Sequence, residues 1–316
     1  MIKLVDLVDN SENEISLEDL KKLRVENVWL ELRDPADEEL KAVSDKLGMP
    51  EHLIKLPEVS NYINLRLEPE FGVIHFVMLT EIISAREAYP VVLAFSKKYL
   101  ITVATKESQQ IIDLAKSRMN RTKTDAPSLV AYYIMDEIVS NHFSHLEKIE
   151  TVTGNLEEEV LKKADSTTIH RIFGLKSRLL SFNKILWYER GIIFNLKQAE
   201  VSYIPAKIKS LIDVTHEYLT RQIDIVETYR EIMSDSIDAY LSTISNRINS
   251  SIKSFTVIML YLTIVTALTS FPNTVATFFG ISQFGGTDYK IIFALLIASI
   301  ILPLVWLWKK KWLKAE

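Results

Sequence analysis

The chain has 316 residues, with 37 Lys and Arg set against 41 Asp and Glu, and no cysteine. A formal net charge of −4 leaves no global basic surplus, and no nucleic-acid-binding signature accompanies it. The absence of cysteine excludes disulfide frameworks, thiolate metal sites and cysteine nucleophiles, and leaves the redox compartment open.

At the N-terminus, MIKLVDLVDNSENE carries acids inside its apolar run and so lacks the basic-then-apolar layout of a signal peptide. Residues 1–126 read as an α/β domain. Five β-rich runs separated by turn residues carry this reading: Val25–Leu32, Asn61–Leu67, Gly72–Ile82, Pro90–Ser96 and Tyr99–Thr105. Between the first two, Asp34 is expected to cap a helix with Pro35 at its first position and Gly48 at its end; a second helix is expected to begin near Glu51.

After Pro127 the character changes to long helices, and 127–204 reads as a helical hairpin region. Leu146, Ile149, Leu156 and Val160 fall at helical spacing, and the charge run NLEEEVLKKAD reads as a solvated face or hairpin tip. A break around Ala164–Thr168 precedes the next helix, and SYIPAK supplies a turn with Pro205 suited to a first helical turn. From there no proline or glycine occurs until Pro272. One helix on the order of 100 Å long is therefore expected, with a stalk over 205–254.

From Phe255 to Gly280, and again from Ile291 to Trp308, there is no charged side chain. Each run approaches or exceeds the ~20 residues needed to cross a bilayer. Two transmembrane helices, 255–280 and 290–308, are predicted, joined by a short outside connector over 281–289 and followed by a basic tail over 309–316. Two buried helices of a soluble core are the alternative, which the aromatic and basic ending WLWKKKWLK disfavours. Arg247 and Lys253 before the first span, and Lys309, Lys310, Lys311 and Lys314 after the second, place both termini in the cytoplasm of a multi-pass protein of the cell membrane.

Steps of three and four residues along the first span pick out Thr256, Met259, Thr263, Thr266, Ser270, Asn273 and Thr277, ending on Gly280. Nearly all are small or polar, against a background of Leu, Ile, Val and Phe. The same register runs back through Asp224, Thr228, Glu231, Asp235, Asp238, Ser242, Ser245 and Asn249. Two readings compete. Small residues and hydroxyls favour close packing of membrane helices. Alternatively, the face lines a watery pore whose oxygens suit a hydrated cation, with carboxylates concentrating it at the cytoplasmic mouth. Magnesium sheds water reluctantly, so neutral oxygens that bind its hydration shell fit it well. Since two helices cannot enclose a pore, the second reading requires a homo-oligomer.

VWLELRDPADEELKAVSDKLGMPEHLI, YLITVAT and ETYREIMSDSIDAYLSTISNRIN, together with two C-terminal spans and a lysine-rich tail, resemble the CorA family of divalent-cation transporters over essentially the whole chain. The resemblance implies a funnel-shaped pentamer of α/β cytoplasmic domains on long helices, the first membrane helix of each subunit lining the pore. It also implies Mg²⁺, with Co²⁺ or Ni²⁺ in some members, as both transported ion and regulatory ligand, and no other cofactor. Where the family closes its first span with Tyr-Gly-Met-Asn, this chain has Phe279, Gly280, Ile281 and Ser282. A serine replaces the asparagine that meets the hydrated ion, and Asn273, two turns inward, offers an amide in its place. The connector lacks the family's acidic element, leaving Asp288 as its one carboxylate. The family's carboxylate at the cytoplasmic pore mouth falls on Asp238, near Asp235. Asp213 and Glu217 are the candidates for inhibitory metal binding, with ordinary surface acids as the competing reading.

His142 and His145, three apart, lack a third ligand nearby and read as a partly exposed helix face. No phosphate-binding or nucleophile motif organises the remaining residues, so no enzyme is expected. The leading function is divalent-cation influx driven by membrane potential and gated by cytoplasmic divalent ions. The alternatives are a carrier of another ion such as Zn²⁺, and a metal-sensing oligomer that does not conduct.

Overall fold

The computed structural model describes residues 2–57, 62–81, 87–122, 126–162 and 165–279, and six positions of the last predicted span: Lys290, Ala294, Ile297, Ala298, Ile301 and Val305. In chain order the elements are β1 (Ile2–Asp6), β2 (Glu12–Glu14), α1 (Leu17–Lys22), β3 (Val28–Arg33), α2 (Asp37–Leu47), α3 (Glu51–Ile54), β4 (Asn64–Leu67), β5 (Phe71–Glu81), β6 (Glu87–Ser96), β7 (Tyr99–Ala104), α4 (Gln109–Thr122), α5 (Pro127–Lys162), α6 (Ser166–Gln198) and α7 (Ala206–Phe279). Cα proximity divides the chain into two units, residues 1–240 and 241–316.

In the first unit, seven strands form one sheet in the order β2-β1-β3-β7-β6-β5-β4. Only the β3–β7 pair is parallel, with Val28 opposite Tyr99 and Arg33 opposite Ala104. Both faces of the sheet are covered, which explains why its central strands read as near-continuous apolar runs. Alternate residues serve separate cores: Leu30, Leu32, Val92, Ala94, Ile101 and Val103 belong to one with α1–α3. Trp29, Ile74, Phe76, Leu93, Phe95 and Leu100 belong to the other, with α4–α7. A one-residue slip of any central strand would exchange the two sets. Glu31 is the exception on β3; it is buried, and Lys116 Nζ at 2.6 Å and Gln109 Nε2 at 2.8 Å anchor α4 to it.

Gly48 ends α2 at φ +68°, a left-handed position that glycine occupies without a Cβ penalty. The start of α2 differs from expectation. Ala36 is its N-cap, and Glu39 accepts from the Ala36 N–H at 3.0 Å. Asp34 instead turns the chain at φ +41°, and its Oδ2 accepts from the Lys106 N–H at 3.1 Å. That bond ties the end of β3 to the segment after β7, a pairing 72 residues apart in sequence.

Leu146, Ile149, Leu156 and Val160 are all buried on α5, as their spacing predicts. Asp165 caps α6 by accepting from the Thr168 N–H at 2.9 Å. Just before α7, Tyr203 is buried edge-on against Phe95, and its hydroxyl donates to the carbonyls of Glu68 and Phe71, both at 2.9 Å. Gly72 permits this approach, since a Cβ there would meet Tyr203 and Phe95 at 3.3 Å.

Candidate ion pathway on the long helix

α7 is a single 74-residue helical element, consistent with the absence of proline and glycine before Pro272. Within the first unit it is amphipathic. Ile208, Ile212, Thr215, Leu219, Ile223, Val226 and Met233 are buried, whereas Asp224, Thr228, Glu231, Asp235 and Asp238 are exposed. The predicted acidic register is therefore the face that this subunit leaves free. Asp235 and Asp238 lie one turn apart on it.

In the second unit, Thr256, Met259, Thr263, Thr266, Ser270, Asn273 and Thr277 are likewise exposed. Their apolar neighbours are too: Phe255, Ile258, Leu262 and Val265 are each more than half exposed, and none of the most apolar window is buried. So long an apolar surface is incompatible with water and marks contact with lipid or other helices. The hydroxyls show a common geometry. Thr256, Thr263, Thr266 and Thr277 each donate to the carbonyl four residues earlier, at 2.8 Å in every case. With the single hydroxyl proton committed to the helix, the lone pairs left over make these oxygens acceptors toward the surroundings. The Asn273 carboxamide makes no hydrogen bond among the described residues. Phe279 is the last residue of α7. Gly280, Ile281, Ser282 and Asp288 lie outside the described residues, as does most of the second predicted span.

Of the two inhibitory candidates, Asp213 pairs with Lys197 Nζ at 2.5 Å, and Glu217 is exposed one turn on. Both partners in the Asp213 pair are more than a third exposed, so the pair is worth no more than about 1 kcal/mol. Nearby, His216 is held below its ordinary pKa by partial burial and by Arg190 and Lys197.

His142 and His145 are not the partly exposed pair expected from sequence; both are buried. His142 Nε2 meets Glu189 Oε2 of α6 at 2.8 Å, and His145 Nε2 lies 2.7 Å from the Leu79 carbonyl. Among the described residues, no group of three or more His, Asp or Glu side chains is placed to hold a metal. The buried polar seam between α5, α6 and α7 also contains Gln222, whose Nε2 donates to the Val139 carbonyl at 2.9 Å. Sequence reasoning missed this seam because its partners lie 47 and 83 residues apart, with no local signal.

A helix whose C-terminal stretch is this apolar and this exposed suits a membrane protein. The CorA-like Mg²⁺ transporter protein family model matches residues 25–311, and the chain belongs to that family, whose members are transporters and not enzymes. It is 29% identical over 191 residues to the cobalt/magnesium transport protein CorA of Thermotoga maritima, covering 58% of this chain and 52% of that one. The chain thus spans about half the length of that relative. It is 25% identical over 290 residues to CorA of Methanocaldococcus jannaschii, covering 87% and 84% of the two chains. The complete structure of the CorA magnesium transporter from Methanocaldococcus jannaschii shares the fold, with a TM-score of 0.71 at 21% identity over 96% of this chain and 95% of that one.

Proposed function

We propose that this chain is one subunit of a CorA-type channel that admits Mg²⁺, and also Co²⁺ or Ni²⁺, down the membrane potential. The observation that carries the reading is the stripe of acceptor oxygens on α7, from Thr256 to Thr277, with Asp235 and Asp238 at the same steps of three and four in the sequence. A hydrated dication needs acceptors for the protons of its water shell, and hydroxyls already donating to their own helix supply them without competing donors. The carboxylates of Asp235 and Asp238 concentrate cations at the cytoplasmic mouth.

One helix cannot enclose a pathway, so the unit of function is a homo-oligomer, a pentamer in keeping with the family resemblance. Residues 255–280 and 290–308 are the two spans, 281–289 the outside connector, and both termini are cytoplasmic. The potential supplies roughly 4.6 kcal/mol per 100 mV for a doubly charged ion. Bound cytoplasmic divalent ions close the pathway, with Asp213 and Glu217 as candidate ligands. With Ser282 in place of the family's asparagine, the amide ring nearest the outer end is that of Asn273.

The test is flux into proteoliposomes with Asn273→Leu. If Asn273 meets the hydrated ion, Mg²⁺ entry is lost while the oligomer remains intact by size exclusion. Wild-type flux in that variant would reduce Asn273 to a packing residue and remove the ring from the pathway.

A further inference from the structure

We propose that the exposed face of α6 docks onto the exposed acidic face of α7 in a second copy of this chain, an inference that rests on the homo-oligomer proposed for transport. Phe173, Leu180, Trp187 and Phe194 follow one another at steps of seven on α6, and each is 48–56% exposed. Ser177, Lys184, Gly191 and Gln198 fill the positions between them and are exposed too, so the face advances by steps of four and three. That is the 3.5-residue period of a helix packed along another helix, in which large side chains insert between residues of the partner. Ser177 and Gly191 leave room for the partner's own side chains; a Cβ at Gly191 would meet nothing within 4 Å.

The subunit's own α7 does not cover this face. It holds a different row of α6, where Lys176 Nζ donates to Ser234 Oγ at 2.8 Å and Lys197 pairs with Asp213 at 2.5 Å. Tyr188, also half exposed, widens the patch. Half-open side chains of this size amount to about 500 Å² over the five residues. So large an apolar patch marks an interaction site, and with its polar rim it approaches the ~800 Å² per partner of a stable interface.

Charge identifies the occupant. α6 carries six Lys and Arg against a single acid, Glu189, which is buried against His142. Arg190 lies over the Trp187 ring at 3.9 Å and Lys184 over Tyr188 at 5.8 Å, so cations accompany the aromatic stripe. The complementary surface is on α7, where Glu217, Asp224, Glu231 and Asp238 recur at the same step of seven, all exposed. Val214 and Tyr218 beside them are exposed and offer apolar contact to the aromatic side chains. Two different faces meet, so the contact is heterologous, the kind that closes a ring of subunits.

The chain has no cysteine, so pairs can be introduced without background. Two differently tagged full-length forms are co-expressed and purified as mixed oligomers in detergent. One carries Gly191→Cys, the other Glu217→Cys, Asp224→Cys or Glu231→Cys, three sites one heptad apart that sample the register. A short thiol-specific cross-linker should join the two tags in at least one pairing. Trp187→Glu added to the first form should reduce that product about tenfold. Glu157→Cys, exposed on α5, should give none in place of the α7 cysteine. Oligomers intact by size exclusion that form no product in any pairing, as much product from Glu157→Cys, or as much with Trp187→Glu, would overturn the docking. A product joining two Gly191→Cys subunits in place of the α7 pairings would overturn the choice of α7. The transport reading fails separately: oligomers that cross-link as expected yet pass no Mg²⁺ would remove that reading and leave the docking standing.

Discussion

Thr266 and Thr269 provide a matched pair for testing the pathway face. Thr266 Oγ donates to the Leu262 carbonyl at 2.8 Å, and Thr269 Oγ is shared between the Val265 and Thr266 carbonyls at 3.0 and 3.1 Å, so replacement by the nearly isosteric valine removes a local back-bond from each. Thr269 lies about a quarter-turn off the stripe's midline at 100° per residue. The effect on the helix is small in both, since a back-bond to the fourth preceding carbonyl adds little to helix stability. The effect on the ion is not matched. On the proposed pathway, Thr266→Val removes one acceptor per subunit. If a hydrated ion leans on two of them at a time, each worth about 0.5–1.5 kcal/mol net, the loss is about 1–3 kcal/mol. That corresponds to roughly 5- to 150-fold in ion affinity or flux at 1.4 kcal/mol per tenfold. The assay is initial Mg²⁺ uptake by proteoliposomes at fixed inside-negative potential, with each variant's incorporation quantified. Thr269→Val should stay within about twofold of wild type. Equal loss in both variants, or none in Thr266→Val, would refute the assignment of the face.

Two further outcomes follow from buried groups in the first unit. His142→Leu leaves the fully buried Glu189 carboxyl without its partner and should destabilise by about 3–5 kcal/mol, with much of that recovered in the double variant His142→Leu/Glu189→Leu. Thermal and urea unfolding of the purified oligomer measure this; a double variant no better than the single would mean the pair contributes by shape alone. His75 is held below its ordinary pKa of 6.5 by burial, so as pH falls the unfolded chain takes up the proton first. Its contribution to stability is whole above about pH 6.5 and is lost as pH falls from there toward the folded-state value. His75→Phe should therefore lose less Tm than wild type between about pH 7.5 and about pH 5; parallel losses would remove His75 as a source of acid sensitivity.

Much of the fold was legible because burial on both faces makes β3, β5, β6 and β7 conspicuous. β1 and β2 were not: the acids in and after IKLVD obscure its alternation, and ENE is an exposed edge whose register is set by pairing with β1, Lys3 with Glu14, Leu4 with Asn13 and Val5 with Glu12. Asp34 was misread for a general reason. An Asp before Pro resembles a helix cap, but the Lys106 N–H that claims its carboxylate arrives from another strand's end. The α7 stripe was visible because oxygen-bearing residues at steps of three and four stand out against Leu, Ile and Val. The Lys197–Asp213 pair was not, since it depends on how α6 folds back on α7. His142 illustrates the same limit: a histidine among apolar neighbours gives no sign of a glutamate on the next helix.

The most direct test of the central claim is Mg²⁺ uptake by proteoliposomes holding the intact purified oligomer, under an inside-negative potential, with Co²⁺, Ni²⁺ and Zn²⁺ run in parallel. The account predicts Mg²⁺ entry that rises with the potential and increases further when Mg²⁺ on the cytoplasmic side is removed. Intact oligomers that pass none of the four ions would contradict it, and entry of Zn²⁺ without Mg²⁺ would contradict the assignment of the ion.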